Sequence, residues 1–296
     1  MTYQKVSNDN PLFDHFHFSE EGFSCKVFPH LGGSVQELTV HGIPIIKSIS
    51  LDDAGLEKYK TTYPSAVLFP FPNRVAQGKY SFNGEQFQLS INEPGYNNAI
   101  HGLISNKSFT VDQIDNQSIS LRYTHHSSHG FPFPYQFIIV YSFSDTGLKL
   151  SFNVTNIGTQ SFPFGMGWHP YFELANYDQC SVDFSAEKKY VNDEKMVPID
   201  AEAHTEEEIQ LAEAELDSAY KLRLGRIVLQ GPRYQLQMSV PEDCYLQLYT
   251  PKSRTALAIE PMTCIADAFN NKVGLKQLPP GSSHLFETSI SIKSHD

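Results

Sequence analysis

Residues 135–157 constrain the fold more than any other stretch of this chain. Tyr135, Phe137, Ile139, Tyr141 and Phe143 fall at every second position, Asp145-Thr146-Gly147 interrupts, and Leu148, Leu150, Phe152 and Val154 resume the pattern. Successive side chains on a strand point to opposite faces, so this alternation specifies two strands with one buried face each, joined by a turn. Such a hairpin is at best marginal alone and needs further strands to cover its apolar face.

The rest of the chain supplies them. Residues 23–28 and 35–40 are short apolar runs, and His41-Gly42 turns the chain after the second. Tyr80 and Phe82 alternate, Asn83-Gly84 turns, and Phe87, Leu89 and Ile91 return, a strong hairpin signal because both turn residues must take positive φ. Asp115-Asn116 turns a further hairpin within residues 109–123, and strands fit residues 181–190, 226–230, 235–240, 245–250, 255–259 and 285–292. Two segments look helical: a turn within residues 51–62, and residues 205–215, where Thr205 and Glu208 have the spacing of a capping box. Many short strands at this spacing predict an all-β sandwich or barrel, and the 12% aromatic content agrees. No repeat or linker-like break divides the 296 residues, so a single domain is expected.

Composition excludes several functions. With 33 acidic against 22 basic residues, a net charge of -11 and no basic cluster, a nucleic-acid partner is not expected. No apolar run approaches the ~20 residues that span a bilayer, and residues 1–16 lack the apolar centre of a signal peptide. Cys25, Cys180, Cys244 and Cys264 are scattered without a CxxC pair, which speaks against zinc and for reduced cysteines in a cytoplasmic protein. The Asn-x-Ser/Thr triplets at Asn106, Asn116 and Asn153 would matter only after secretion. His125-His126-Ser127-Ser128-His129 resembles a metal cluster, but neighbouring histidines on a strand face opposite ways, so no metal site is expected.

Five places could carry chemistry. In Gly165-Met166-Gly167-Trp168-His169-Pro170-Tyr171-Phe172 the proline pushes His169 towards an extended strand end among aromatic walls, which suits a ring-shaped ligand or a buried structural histidine. Asn73-Arg74 follows Phe69-Pro70-Phe71-Pro72 and offers amide and guanidinium donors, although a lone arginine also serves as an ion-pair partner. His101-Gly102 can set an imidazole in a cleft or bond to the backbone of a turn. Asp217 by itself is indistinguishable from an aspartate at a turn or helix end. Glu260 ends the apolar run Ala256-Leu257-Ala258-Ile259, where burial would lift its pKa towards that of a useful general base.

In this order the pieces resemble the aldose 1-epimerase (mutarotase) family, on its bacterial mutarotase-like branch. The match runs through Asn73-Arg74 with Gly78 and Tyr80, the Asn83-Gly84 hairpin with Leu89, and Ile100-His101-Gly102. It continues through His169 with Tyr171-Phe172, an Asp217 segment, and Glu260-Pro261 before Asp267-Ala268-Phe269-Asn270. The resemblance implies a galactose-mutarotase-like β-supersandwich of large, mostly antiparallel sheets with few short helices. It implies a monosaccharide substrate whose α and β anomers interconvert by ring opening and closure, without metal or cofactor, in a monomer or homodimer. By position, Glu260 would take the C1 hydroxyl proton, His169 would protonate the ring oxygen and His101 would bond near it, while Asn73, Arg74 and Asp217 would hold the sugar hydroxyls. Trp168 stands where galactose mutarotases commonly carry asparagine, which points to it as a determinant of sugar choice. A hexose-6-phosphate mutarotase and a non-catalytic sugar-binding protein are the alternatives.

Overall fold

The fold was analysed in a computed structural model that describes residues 1–205 and 207–295. The alternating stretch forms two ten-residue strands, Tyr135–Ser144 and Gly147–Asn156, in register from Tyr135 opposite Asn156 to Ser144 opposite Gly147. Asp145 and Thr146 make the turn, and the alternating aromatic and aliphatic side chains are buried as the pattern requires.

This hairpin lies in a fifteen-stranded antiparallel sheet. From it the sheet runs through Ser283–Ser294, Tyr234–Ser239, Asp217–Gln230, Tyr245–Tyr249 and Ala256–Met262 to Gly167–His169 and Ala66–Leu68. The Ser181–Asn192 strand branches from Asp217–Gln230 and carries Pro198–Ala203 and Glu208–Gln210 on its other side. A five-stranded meander packs against the large sheet: Thr2–Val6, His15–Glu20, Phe23–Phe28, Ser34–Val40 and Ile43–Ile46. Cys25, Val27 and Leu38 of the meander share one hydrophobic core with Phe137, Ile139 and Phe152, and Phe18 meets Phe143 at a ring-centroid distance of 4.4 Å. This is the all-β supersandwich that the sequence implies.

Local chemistry explains the turns. His41-Gly42 and Asn83-Gly84 all take positive φ, between 50° and 83°, the requirement of a two-residue hairpin turn. The helix Asp53–Thr62 starts at Asp52, whose carboxylate accepts the Gly55 amide at 2.8 Å. It ends at Tyr63, held in the left-handed region at φ 49°, and this reversal delivers the Tyr63 ring to the cleft described below. No helix among the described residues is long and apolar enough to cross a membrane.

Four local expectations need correction. Residues 205–215 do not form a helix: Glu208–Gln210 is a strand paired with Ser181, Val182 and Asp183, while Glu206, inside the expected helix, lies outside the described residues. The only large apolar residues there are Ile209 and Leu211, two apart; Ile209 pairs opposite Val182 on the open edge of the Ser181–Asn192 strand, and the Leu211 amide bonds to the Cys180 carbonyl just before it. The return strand after Asn83-Gly84 stops at Gln88, and Ile91 is exposed, because Leu89 turns inward as its amide bonds to the Gly78 carbonyl. Asp217 opens a fourteen-residue strand and marks no helix end. Glu260 does not end its strand, which continues through Pro261, opposite Leu246, to Met262.

Candidate active site

Strand register brings the site together. Gly167 pairs with Met262 and Tyr171 with Ala258, so His169, midway between Gly167 and Tyr171, faces Glu260 across two adjacent strands. Pro170 has no amide proton and separates the short strands Gly167–His169 and Tyr171–Glu173. On the other side of Glu260 lies Gln247, which in turn neighbours the strand that begins at Asp217. Directly opposed side chains share a face. His169, Glu260 and Gln247 therefore project from one face of consecutive strands, with Tyr171, Tyr249 and Asp217 at alternate positions beside them.

The other half of the site comes from a separate two-stranded ribbon. Arg74–Ala76 pairs with Asn98–Ile100, and the amide of His101, the next residue, bonds to the Asn73 carbonyl at 2.9 Å. His101 sits at φ 61°, and a Cβ on Gly102 would collide with the Phe69 carbonyl, so only glycine lets the chain pass there. The Asp267-Ala268-Phe269-Asn270 motif lies behind this ribbon: Asp267 Oδ1 accepts the Ala76 amide at 2.8 Å and the Asn270 side chain at 2.7 Å. It holds the arginine-bearing strand in place and does not line the cleft.

The resulting cleft has a volume of about 440 Å³ and is lined by Asn73, Arg74, His101, His169, Asp217 and Glu260, among others. This lies within the usual range for small-molecule sites, roughly 300–1,000 Å³. At its floor His169 Nε2 lies 3.4 Å from Glu260 Oε1, both side chains almost wholly buried. The His101 and His169 rings meet edge to face at 4.9 Å, Tyr63 packs on His101 at 4.8 Å, and Tyr171 on His169 at 5.0 Å. Glu260 Oε2 and His101 Nδ1 are buried without a hydrogen-bond partner. Such groups are costly in a folded chain unless a ligand or water completes them.

Burial sets the protonation. It pushes the Glu260 carboxyl well above the ordinary glutamate range, with Asp217 adding to the rise and Arg74 opposing it. It lowers the His169 imidazole to about 4. It also holds His101 well below the usual histidine value, helped by His169 and Arg74. Asp217 is raised by burial and held down by Arg74. Burial thus favours the uncharged form of each group, a carboxylic acid on Glu260 and a free imidazole on His169, and across 3.4 Å one proton can pass from the first to the second. Because Asp217 raises the Glu260 pKa, Asp217→Asn should shift the acid limb of kcat/KM to lower pH. A pH–rate profile of the variant checks this, and an unmoved or raised limb contradicts it.

Two expectations about individual residues change. Trp168 is fully buried on the opposite face of its strand, next to Val67 and edge to face with Phe172 at 6.2 Å, and it does not line the cleft. The cause is the two-residue period: if His169 faces the cleft, its neighbour faces the core. Trp168 is therefore no sugar contact. Arg74 lines the cleft already engaged: Nε and Nη2 bond bidentately to Glu93 at 2.9 and 2.8 Å, and Nη1 reaches Asn73 Oδ1 at 3.3 Å.

Sequence reasoning missed Glu93, Gln247, Tyr249, Tyr63 and Met196, which also line the cleft. Gln247 had a signal: a buried amide inside Tyr245-Leu246-Gln247-Leu248-Tyr249, where the alternation expects a polar residue only if it has work to do. Its Nε2 donates to Asp217 Oδ1 at 2.8 Å, and its Oε1 lies 3.5 Å from Asn73 Nδ2, which joins the two halves of the site. Tyr63 and Glu93 carried no such mark, since a helix end and a loop place them.

His101, His169 and Glu260 are also the one group of three among the described residues whose ligand atoms lie close enough, within 4.8 Å, to hold a metal ion. His125, His126 and His129 do not form such a group.

Comparison with known proteins agrees with this geometry. The aldose 1-epimerase family profile matches residues 14–291. The uncharacterized protein YihR of Escherichia coli K12 is 30% identical over 270 residues, 86% of this chain and 85% of that protein. Human galactose mutarotase is 27% identical over 161 residues, which is 51% of this chain and 46% of that protein. A solved galactose mutarotase-like protein from Clostridium acetobutylicum has the same fold, with a TM-score of 0.87 at 22% identity over 99% of each chain. Strand order, cleft and family profile lead to one conclusion: the chain belongs to the aldose 1-epimerase family.

Proposed function

We propose that the protein is an aldose 1-epimerase that interconverts the α and β anomers of a free monosaccharide, with Glu260 and His169 as the reacting pair. The observation that carries this reading is the opposition of a buried carboxyl and a buried imidazole, 3.4 Å apart, at the floor of a cleft of sugar size. Ring opening removes a proton from the C1 hydroxyl and delivers one to the ring oxygen, and these two oxygens are bonded to the same carbon. A base and an acid a few ångströms apart suit that task.

The reaction starts from the form in which the Glu260 proton has passed to His169 Nε2 across the 3.4 Å between them; Glu260 then takes the C1 hydroxyl proton as the C1–O bond becomes a carbonyl. The bond from C1 to the ring oxygen breaks, and His169 gives that oxygen its proton. Rotation about C1–C2 turns the other carbonyl face to the hydroxyl, and the reverse transfers close the ring as the opposite anomer. The pair ends with the single proton it began with. Neutral His101 hydrogen-bonds near the ring oxygen, while Asn73, Asp217 and Gln247 bind hydroxyls, and Tyr171 and Tyr249 offer ring faces to C–H groups. Arg74, tied to Glu93, orients Asn73 and moderates the pKa of Glu260.

The cleft favours a neutral sugar over a 6-phosphate. Glu93, Asp217 and Glu260 line it, and its one arginine is already paired, whereas phosphate recognition calls for free clustered cations. A binding protein without activity would need no buried acid–base pair. Four buried free cysteines fit a reducing cytoplasm, where the protein would act as a monomer or homodimer.

Polarimetry of freshly dissolved α-glucose and α-galactose, beside the 6-phosphates, tests the proposal. Faster decay of rotation for a free aldose is expected, and no acceleration of any sugar overturns it. Dialysis against EDTA should leave the rate unchanged, because a cation on His101, His169 and Glu260 would occupy the lone pairs that exchange protons. Loss of activity on chelation, restored by a divalent metal, would contradict the metal-free mechanism.

A further inference from the structure

His101, His169 and Glu260 each present one ligand atom at the floor of the cleft; the three atoms lie within 4.8 Å of one another, and all three side chains are buried. Zinc held by nitrogen and oxygen at about 2.0–2.1 Å in a tetrahedron sets its ligand atoms about 3.3–3.4 Å apart. His169 Nε2 and Glu260 Oε1 already stand at 3.4 Å, so two corners of such a site are in place. The His101 ring meets the His169 ring at 4.9 Å, and a rotation of its side chain closes the third corner. His101 Nδ1 has no hydrogen-bond partner to hold the ring against that rotation, and Glu260 Oε2 has none either.

Two imidazoles and one carboxylate select zinc over magnesium or calcium, which take six or more ligands, nearly all of them oxygen. Three protein ligands leave one tetrahedral position open. Because all three residues line the cleft, water or a sugar oxygen reaches that position. Charge favours a cation there: the one arginine of the lining is bonded bidentately to Glu93, and Asp217 adds a further carboxylate. One element of a permanent zinc site is missing. His169 Nδ1 is buried without a hydrogen-bond partner, whereas resident zinc sites back each histidine with a carboxylate or carbonyl, worth about 10–100-fold in affinity. Zinc therefore comes and goes.

We infer that His101, His169 and Glu260 form a reversible zinc site that inhibits the protein by competing with the sugar. Zinc takes the lone pairs of Glu260 and His169 that exchange protons with the C1 hydroxyl and the ring oxygen, and any proton on the pair leaves to solvent as the metal binds. The inhibitory half of the inference rests on the mutarotase reading above, as a regulation of that same site; the metal-binding half does not need it.

Titration of the whole, EDTA-dialysed protein with Co²⁺, a coloured stand-in for zinc, tests binding without reference to activity. An intense visible band of tetrahedral Co²⁺ should saturate at about one ion per chain and be abolished by added Zn²⁺. His101→Gln and Glu260→Gln should each lose the band while unfolding thermally as cooperatively as the parent. His126→Ala/His129→Ala, which removes two exposed histidines, should keep it. In polarimetry, free zinc at about ten times its dissociation constant should raise the apparent KM for an aldose about tenfold, with kcat unchanged and EDTA restoring the rate. No band, or a band lost only in the His126/His129 variant, refutes the site while the mutarotase reading stands. A near-ultraviolet thiolate band puts the metal on cysteine and overturns it likewise, as does zinc that lowers kcat without raising KM or that speeds the reaction. If the band behaves as expected and no sugar is accelerated, the zinc site stands and the mutarotase reading fails.

Discussion

Glu260→Gln should lower kcat for anomer interconversion by about 10²–10⁴-fold, the usual contribution of a positioned general base, with little change in KM. Glutamine keeps the shape and the hydrogen-bonding reach of the carboxyl group but cannot accept the C1 hydroxyl proton. The same substitution should stabilise the fold. The folded-state pKa of Glu260 is raised above its unfolded value, so ionising it is unfavourable only in the folded protein. That penalty is absent below the ordinary glutamate range and grows as the pH rises towards the folded-state value. The difference in Tm between Glu260→Gln and the parent should therefore be smallest near pH 4 and grow in favour of the variant towards neutrality. Thermal unfolding across that range, together with kcat, checks both halves. A variant that keeps its rate would show that the base lies elsewhere.

His169→Asn should cost a comparable factor, about 10²–10⁴ in kcat, because the ring oxygen would leave without its proton. The two losses should not multiply. With base and acid acting as one proton-sharing unit, the double variant should be about as slow as the slower single variant. Stability should respond with the opposite pH sense from Glu260. Burial lowers His169 to about 4, below its unfolded value of about 6.5, so between those values the unfolded chain binds a proton that the folded chain refuses. The parent should therefore lose stability as the pH falls from about 6.5 to 4, and His169→Asn should lose less. Full activity in His169→Asn would remove the imidazole from the mechanism.

Strand periodicity made most of the architecture legible. Residues 135–157 announced a long hairpin, and the two turns that require positive φ on both residues, His41-Gly42 and Asn83-Gly84, lie where the sequence puts them. Residues 205–215 misled because a capping-box spacing is a local signal, whereas the free edge of the Ser181–Asn192 strand is a tertiary one. Among the site residues, those with unusual local chemistry stood out: a carboxylate in an apolar run, and a histidine held between glycine, tryptophan and proline. Trp168 was misassigned for a reason already present in the sequence, since residues next to each other on a strand cannot both face one cleft. Glu93 and Tyr63 could not be found that way, because loop and helix-end geometry places them, and no periodicity reports on it.

The central claim is that a buried carboxyl and imidazole sharing one proton open and close the sugar ring. Two-dimensional NMR exchange between the α and β anomeric signals of an equilibrated aldose measures this step directly, since the protein changes the exchange rate and not the anomer ratio. The account predicts exchange cross-peaks that build up with protein concentration in the parent and vanish in Glu260→Gln at the same concentration. Equal exchange rates for the parent, the variant and buffer alone, with sugar bound, would contradict it and leave a binding protein on a mutarotase fold.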